Sequence, residues 1–202
     1  MDIGFIGGGG GDVAEAIMDR LRGAGHRLQR HGDVRDGDVR RGHSVRASVG
    51  ECDVIMLMLP DARAVEAALF SDGGLAATLP PGRLLIDLSH LSPADAALNA
   101  ARVAGRGGLL VDAPVSGAGK PAPGSAGDFS VDLGGDAAAC ARAEPLLRLF
   151  AARVERAGGP GEGQRARLTR GAGRDADDPD GLHRLLRLMA FDEPARSRAS
   201  AG

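Results

Sequence analysis

The chain has 202 residues, 43% hydrophobic and 26% charged, with 25 Lys plus Arg against 27 Asp plus Glu and a formal net charge of -2. That length allows one domain, or one plus a fragment, and the composition is ordinary for a soluble globular chain. The near-even charge balance supplies no drive toward nucleic acid or an acidic membrane surface, and the longest apolar run, 54–59, is far too short to span a bilayer.

Cys52 and Cys140 are far apart in sequence and read as buried thiols in a reducing compartment, not as a disulfide or metal site. The first residues lack a basic leader, so the cytoplasm is the expected location, with no nucleic-acid or membrane partner. The chain has no Trp, no Tyr and 32 Gly, and Lys120 is its single lysine. This bias toward Arg, Gly and Ala matches drift under GC-rich coding.

Taken in chain order, Ile3–Ile6 is a short apolar strand. Ala14, Ile17, Met18 and Leu21 recur at i, i+3, i+4 and i+7, which predicts an amphipathic helix over Asp12–Arg22. Gly25-His26 stops it, and Leu28 begins a second strand. Five glycines, Gly7–Gly11, fill the turn between the first strand and the helix. In this context Gly9, Gly10, Gly11, Asp12, Val13 and Ala14 read as G-x-G-x-x-A. Gly9 would make the tight turn, Gly11 would admit a pyrophosphate to the backbone, and small Ala14 would let the helix pack on the strand. The free N–H groups of the helix start would face the phosphates. In this register Gly7 and Gly8 are spare. Asp12 suits the helix dipole but is an unhelpful charge beside a pyrophosphate. The alternative is a slack loop, which the strand-helix context disfavours.

The stretch "LQRHGDVRDGDVRRG", 28–42, should choose the cofactor. Asp33 would bind a ribose 2′-hydroxyl, whereas Arg30 or Arg35 would suit a 2′-phosphate. A solvated surface loop is the competing reading for each. The expected cofactor is NADP or NAD, with NADP slightly favoured.

The alternation then continues. Asp53–Leu59 is a buried strand ending in "MLPD", Ala62–Phe70 a helix, and Leu84–Asp87 a strand ending in "DLSHLSP". Pro93–Ala104 is helical, and Leu109–Val111 is a strand running into "DAPVSGAG". This order predicts an α/β fold with a doubly wound, mainly parallel Rossmann sheet. Ligands in such sheets sit at the carboxyl ends of strands, where all three of these motifs fall. His90 at one such end reads as a potential acid or as a packing or solvent-facing residue.

The segments "GFIG" with its glycine turn, "GH" at 25–26, "CDVIMLMLPDARAVEAALF", "LPPGRLLIDLSHLSP", "VDAPVSGAGKPAPGSAG" and "DLGGDAAACARAEPLLRLF" together resemble the β-hydroxyacid dehydrogenases. That family includes 3-hydroxyisobutyrate dehydrogenase and tartronate semialdehyde reductase, and shares its nucleotide domain with 6-phosphogluconate dehydrogenase. The resemblance extends from residue 3 to about residue 168. It implies an NAD(P)-binding domain over 1–157 and a divergent helical remnant with a tail over 158–202. It implies pyrophosphate contacts at Gly9 and Gly11, and Leu59 and Pro60 lining the nicotinamide side. Ser116 and Gly117 would hold the carboxylate of a small hydroxy acid or semialdehyde, for which a hydroxyl and a backbone N–H are fitting donors.

Two departures stand out. The family's proton-donating lysine falls on Arg167, after the turn Gly161-Glu162-Gly163, and its asparagine falls on Gly171. A guanidinium can polarise a carbonyl but gives up its proton poorly. The nearby Lys120 reads as a surface residue rather than a substitute. The second departure is length: the family's long helical domain has only about 30 residues to correspond to it here. These comprise a charged stretch from Arg174 to Asp180, an apolar stripe of Leu182, Leu185, Leu186 and Met189, and a polar tail. The expected function is therefore hydride transfer between nicotinamide and a small hydroxy acid, in impaired form. A nucleotide-binding pseudoenzyme or partner subunit is the alternative, and an imine-reductase-like relative a third reading.

Overall fold

The computed structural model describes residues 1–8, 12–31, 50, 52–72, 74–117 and 129–174. Contacts divide the chain into two compact units, Met1–Arg167 and Leu168–Gly202; the second is described only over the end of one helix. The elements are β1 (Asp2–Gly7), α1 (Asp12–Gly23), β2 (Arg27–His31), β3 (Val54–Met58), α2 (Ala62–Phe70), α3 (Leu75–Thr78), β4 (Leu84–Asp87), α4 (Pro93–Ala104), β5 (Leu109–Asp112), β6 (Val115–Ser116), β7 (Ser130–Gly134), α5 (Ala137–Leu147), β8 (Arg153–Gly158) and α6 (Glu162–Arg174).

The strands form one sheet in which β2, β1, β3, β4 and β5 lie side by side and run parallel. β7 then runs antiparallel to β5, and β8 runs parallel to β7. β5 and β6 form one bent rail along β7: Asp112 faces Gly134, Val115 faces Val131 and Ser116 faces Ser130, with no slip in register.

Alternation along each strand sorts its side chains onto two faces. Ile3, Phe5, Val54, Met56, Leu84, Ile86 and Val111 face α1 and α5 in one core; Ile6, Ile55, Leu57, Leu85 and Leu110 face α2 and α4 in the other. Both faces being covered is why the central strands read as unbroken apolar runs rather than as alternating ones. The sheet is therefore doubly wound and mainly parallel.

Local chemistry fixes where the helices start. Asp61 accepts a hydrogen bond from the Ala64 N–H (2.8 Å) ahead of α2, and Asp136 accepts from Ala138 (2.9 Å) ahead of α5. Ser92 accepts from the Asp95 N–H at 3.0 Å, and Pro93 follows at the first helical position of α4. α6 has no such cap from its own segment. Its cap comes from a distant strand.

Periodicity did not indicate β6, β7, β8, α3 or α5. β8 lies at the sheet's edge and buries only Val154, and α5 is alanine-rich with Pro145 inside it. Of the charged stretch expected from Arg174, Arg174 itself closes α6. The remainder, with the Leu182–Met189 stripe and the tail, lies outside the described residues. Among the described residues no helix is long and apolar enough to cross a membrane.

Candidate active site

The carboxyl ends of β4 and β5 meet the start of α6, and the end of β3, itself joined to β1, reaches them through Ser89. The turn after β1 comes first. Gly7 and Gly8 have φ of +93° and +78°, and the Gly8 N–H donates to the Met58 carbonyl at 2.8 Å. A Cβ on Gly7 would sit 2.3 Å from that same carbonyl oxygen and 2.8 Å from Leu59 Cδ2; one on Gly8 would sit 2.6 Å from Ala14 Cβ. Gly7 and Gly8 are therefore not spare: they make the turn and the close helix approach, and Ala14 is the small partner of that approach. Gly9, Gly10 and Gly11 lie outside the described residues. Asp12 is the exposed first residue of α1, and Val13 packs partly against the core.

Beyond β2 the stretch containing Asp33 and Arg35 also lies outside the described residues. Arg30 is described. It pairs with Glu15 of α1, and its Nη2 lies 3.5 Å from the Gly8 carbonyl oxygen, which puts a cation beside the glycine turn.

A buried polar chain continues from the turn. Leu59, 5% exposed, donates its N–H to Ser89 Oγ at 2.9 Å, while Pro60 is exposed. The Ser89 N–H donates to Asp87 Oδ1 at 2.9 Å, and the Ser89 carbonyl accepts from Gln164 Nε2 at 2.7 Å. Gln164, fully buried, also accepts at Oε1 from the Leu91 N–H (3.2 Å) and from Arg167 Nε (3.3 Å). One amide thus ties the end of β4 to the side chain at 167.

Asp112 supplies the cap that α6 lacks. Its Oδ1 accepts from the Gly161 N–H at 2.8 Å and its Oδ2 from the Gln164 N–H at 2.9 Å, placing a carboxylate on the positive end of the helix. Close packing here excludes side chains, since a Cβ on Gly163 would meet the Asp132 carbonyl oxygen at 2.4 Å. Of the expected turn Gly161-Glu162-Gly163, Gly161 alone precedes the helix.

Burial dominates the electrostatics. It pushes the Asp87 carboxyl up to about 6, against the hydrogen bonds from Ser89 and with the help of the neighbouring Asp112 charge. Burial likewise raises Asp112, against the N–H groups of Gly161 and Gln164. It lowers Arg167, which is half-buried, from the usual guanidinium value.

Ser116 ends β6, partly exposed, and Gly117 follows, exposed, with φ +137°. Next to them His90 is exposed, and its Nε2 lies 2.9 Å from the Val115 carbonyl oxygen. Lys120 lies outside the described residues. Among the described residues no group of three His, Cys, Asp or Glu could hold a metal ion.

Reading from the sequence alone missed Gln164, Ser89, Asp87 and Asp112. The signal for the two acids was present: "LLID" and "LLVD" are apolar strands that each end in aspartate, and the two aspartates pair in register. A carboxylate at the buried end of a strand needs donors, and the start of a helix supplies them.

A parallel sheet with a glycine turn packed between β1, β3 and α1 defines a dinucleotide-binding α/β domain. The chain belongs to the family described as the NAD binding domain of 6-phosphogluconate dehydrogenase, matched over residues 2–159. It is 34% identical over 174 residues to 2-hydroxy-3-oxopropionate reductase of Escherichia coli K12, covering 83% of this chain and 58% of that protein. Its structure is similar to that of Mycobacterium tuberculosis 3-hydroxyisobutyrate dehydrogenase with L-serine, with a TM-score of 0.75 and 27% identity, over 97% of this chain and 67% of that one. It is also similar to Psf3 in complex with NADP+ and 2-OPP, with a TM-score of 0.72 and 28% identity, over 97% of this chain and 75% of that one. The chain thus spans a little over half the length of the reductase it matches.

Proposed function

We propose that this chain is an NAD(P)-dependent oxidoreductase of the 3-hydroxyacid dehydrogenase type, acting on a small hydroxy acid or its semialdehyde. One observation carries the reading: the Gly7-Gly8 turn is pressed so closely on Met58 and Ala14 that no side chain fits, leaving backbone at the strand end where a pyrophosphate is held. The residues present therefore fit a nicotinamide dinucleotide. Gly9–Gly11 with Asp12 and Val13 would hold its phosphates, and Leu59 and Pro60 would line its nicotinamide, which supplies hydride chemistry when bound.

Ser116 and Gly117 would hold the substrate carboxylate, and Arg167 would set a positive charge beside the carbonyl. NADP is the favoured cofactor: Arg30 beside the turn is a fitting partner for a 2′-phosphate. Residues 1–157 would form the nucleotide domain and 158–202 a helical remnant. Buried thiols at Cys52 and Cys140, with no disulfide between them, fit the cytoplasm. Nucleotide binding without turnover is the second reading. It is favoured by the guanidinium of Arg167, half-buried and hydrogen-bonded to Gln164, where a titrating amine would be the better acid.

Titrating NADPH and then NADH while following nicotinamide fluorescence tests cofactor binding, and with no Trp or Tyr in the chain the protein contributes little emission. Saturation by both, tighter for NADPH, is the expected result; saturation by neither overturns the proposal. If the protein turns over, Ser116→Ala should raise KM for the acid about tenfold, the loss of one hydrogen bond to a charge, with a much smaller change in NADPH affinity.

A further inference from the structure

Reducing a carbonyl needs a proton for the developing alkoxide, and the acids described so far are poor sources. Asp87 and Asp112 are buried and already accept hydrogen bonds from Ser89, Gly161 and Gln164. Arg167 keeps its proton, as guanidinium does in proteins. His90 is differently placed. Its backbone neighbours, Ser89 and Leu91, are both gripped by Gln164, at 2.7 and 3.2 Å, and the same Gln164 Oε1 receives Arg167 Nε at 3.3 Å. Its ring is fixed from the other side, with Nε2 at 2.9 Å from the carbonyl of Val115, the residue before Ser116. His90 is therefore held on one side by a backbone that Gln164 shares with Arg167, and on the other by the residue before Ser116.

The hydrogen bond also decides which nitrogen can work. A backbone carbonyl only accepts, so the hydrogen of this bond sits on Nε2, and Nδ1 is the ring nitrogen that Val115 does not engage.

We propose that His90 is the proton donor of this site, with Arg167 supplying charge alone; the assignment rests on the oxidoreductase reading above. In the reductive direction the carbonyl carbon receives a hydride, two electrons and a proton, from a reduced nicotinamide dinucleotide, and a C–H bond forms. The π pair of the C=O bond moves to oxygen, and that oxygen takes the Nδ1 proton of the imidazolium. The products are the hydroxy acid, the oxidised dinucleotide and neutral His90, which solvent reprotonates. In the oxidative direction Nδ1 accepts the hydroxyl proton.

The test uses the full chain and the variant His90→Gln, whose amide Nε2 can still donate to the Val115 carbonyl but exchanges no proton. The probes are NADPH with a panel of small 3-oxo acids, starting with 2-hydroxy-3-oxopropanoate. NADPH should still saturate the variant, kcat should fall about a hundredfold or more, and KM should change little. A readout independent of turnover is nitrogen NMR of the wild-type histidines. The resonances absent from His90→Gln should show a hydrogen on Nε2, and the Nδ1 signal should shift when 3-hydroxypropanoate is added.

Turnover within about threefold of wild type in His90→Gln overturns the assignment, as does a ring protonated on Nδ1 instead of Nε2 or unmoved by 3-hydroxypropanoate. So does a wild-type chain that binds NADPH and reduces none of the panel. Failure to bind NADPH or NADH is a different result, which removes the oxidoreductase reading and this assignment with it.

Discussion

Gly7→Ala should destabilise the protein by about 3 kcal/mol or more and abolish nucleotide binding with it. Two costs add. At φ +93° an L side chain loses roughly 1–2 kcal/mol to backbone strain. The new Cβ would also sit 2.3 Å from the Met58 carbonyl oxygen, a main-chain atom of the neighbouring strand that no rotamer change can move aside. Overpacking of this kind costs roughly 1–3 kcal/mol. Met58 cannot retreat freely, because its carbonyl also accepts the Gly8 N–H at 2.8 Å. The turn must therefore shift, and its N–H groups shift with it. Gly82→Ala is the matched control: φ is +75° there, yet nothing lies within 4 Å of the added carbon. Urea unfolding should place Gly7→Ala about 2 kcal/mol below Gly82→Ala. Equal losses would show that strain alone acts at Gly7 and that the contact with β3 relaxes without cost.

Asp87→Asn should make the protein more stable at neutral pH. Burial lifts the Asp87 carboxyl to about 6, so the folded state holds its proton more tightly than the unfolded state, where an aspartate titrates near 3.8. Protonated Asp87 therefore favours folding below about pH 4, and that contribution is lost as the pH rises through about 6. A shift of about two units corresponds to about 3 kcal/mol across this window. The amide never ionises, so its advantage over wild type should appear between pH 4 and pH 6 and stay level above. Its Oδ1 can still accept the Ser89 N–H, bonded at 2.9 Å in the wild type. Urea midpoints of the two proteins at pH 4, 5, 6 and 7.5 give the difference directly. Parallel curves would mean that the Ser89 hydrogen bonds fully compensate the burial of the charge.

Much of the architecture was legible because burial writes itself into composition. "VIMLM", "LLID" and "LLVD" can be little other than strands covered on both faces, and Ala14, Ile17, Met18 and Leu21 mark one face of a helix. The antiparallel edge was harder to see, because β8 buries one residue and carries no period. The glycine run shows a different limit. Five identical residues give a pattern no phase, and only the contacts with Met58 and Ala14 reveal that Gly7 and Gly8 make the turn. The site's interior was hidden for a third reason. Gln164 touches Ser89 and Leu91, more than 70 positions earlier, and the cap of α6 is a side chain 49 residues before Gly161. Local rules describe local capping and are silent about a cap delivered by another strand.

The rail formed by β5 and β6 has a bearing on how chains of this kind can diverge. Asp112, which caps α6, and Ser116, which we propose holds the substrate carboxylate, keep one register against β7, Asp112 opposite Gly134 and Ser116 opposite Ser130. Inserting or deleting a single residue between them would turn one of the two side chains to the opposite face of the sheet. Relatives should therefore seldom vary in length within 112–116 and 130–134, and a gap falling there would mark a chain in which the helix cap and the serine at the end of β6 no longer share a face of the sheet.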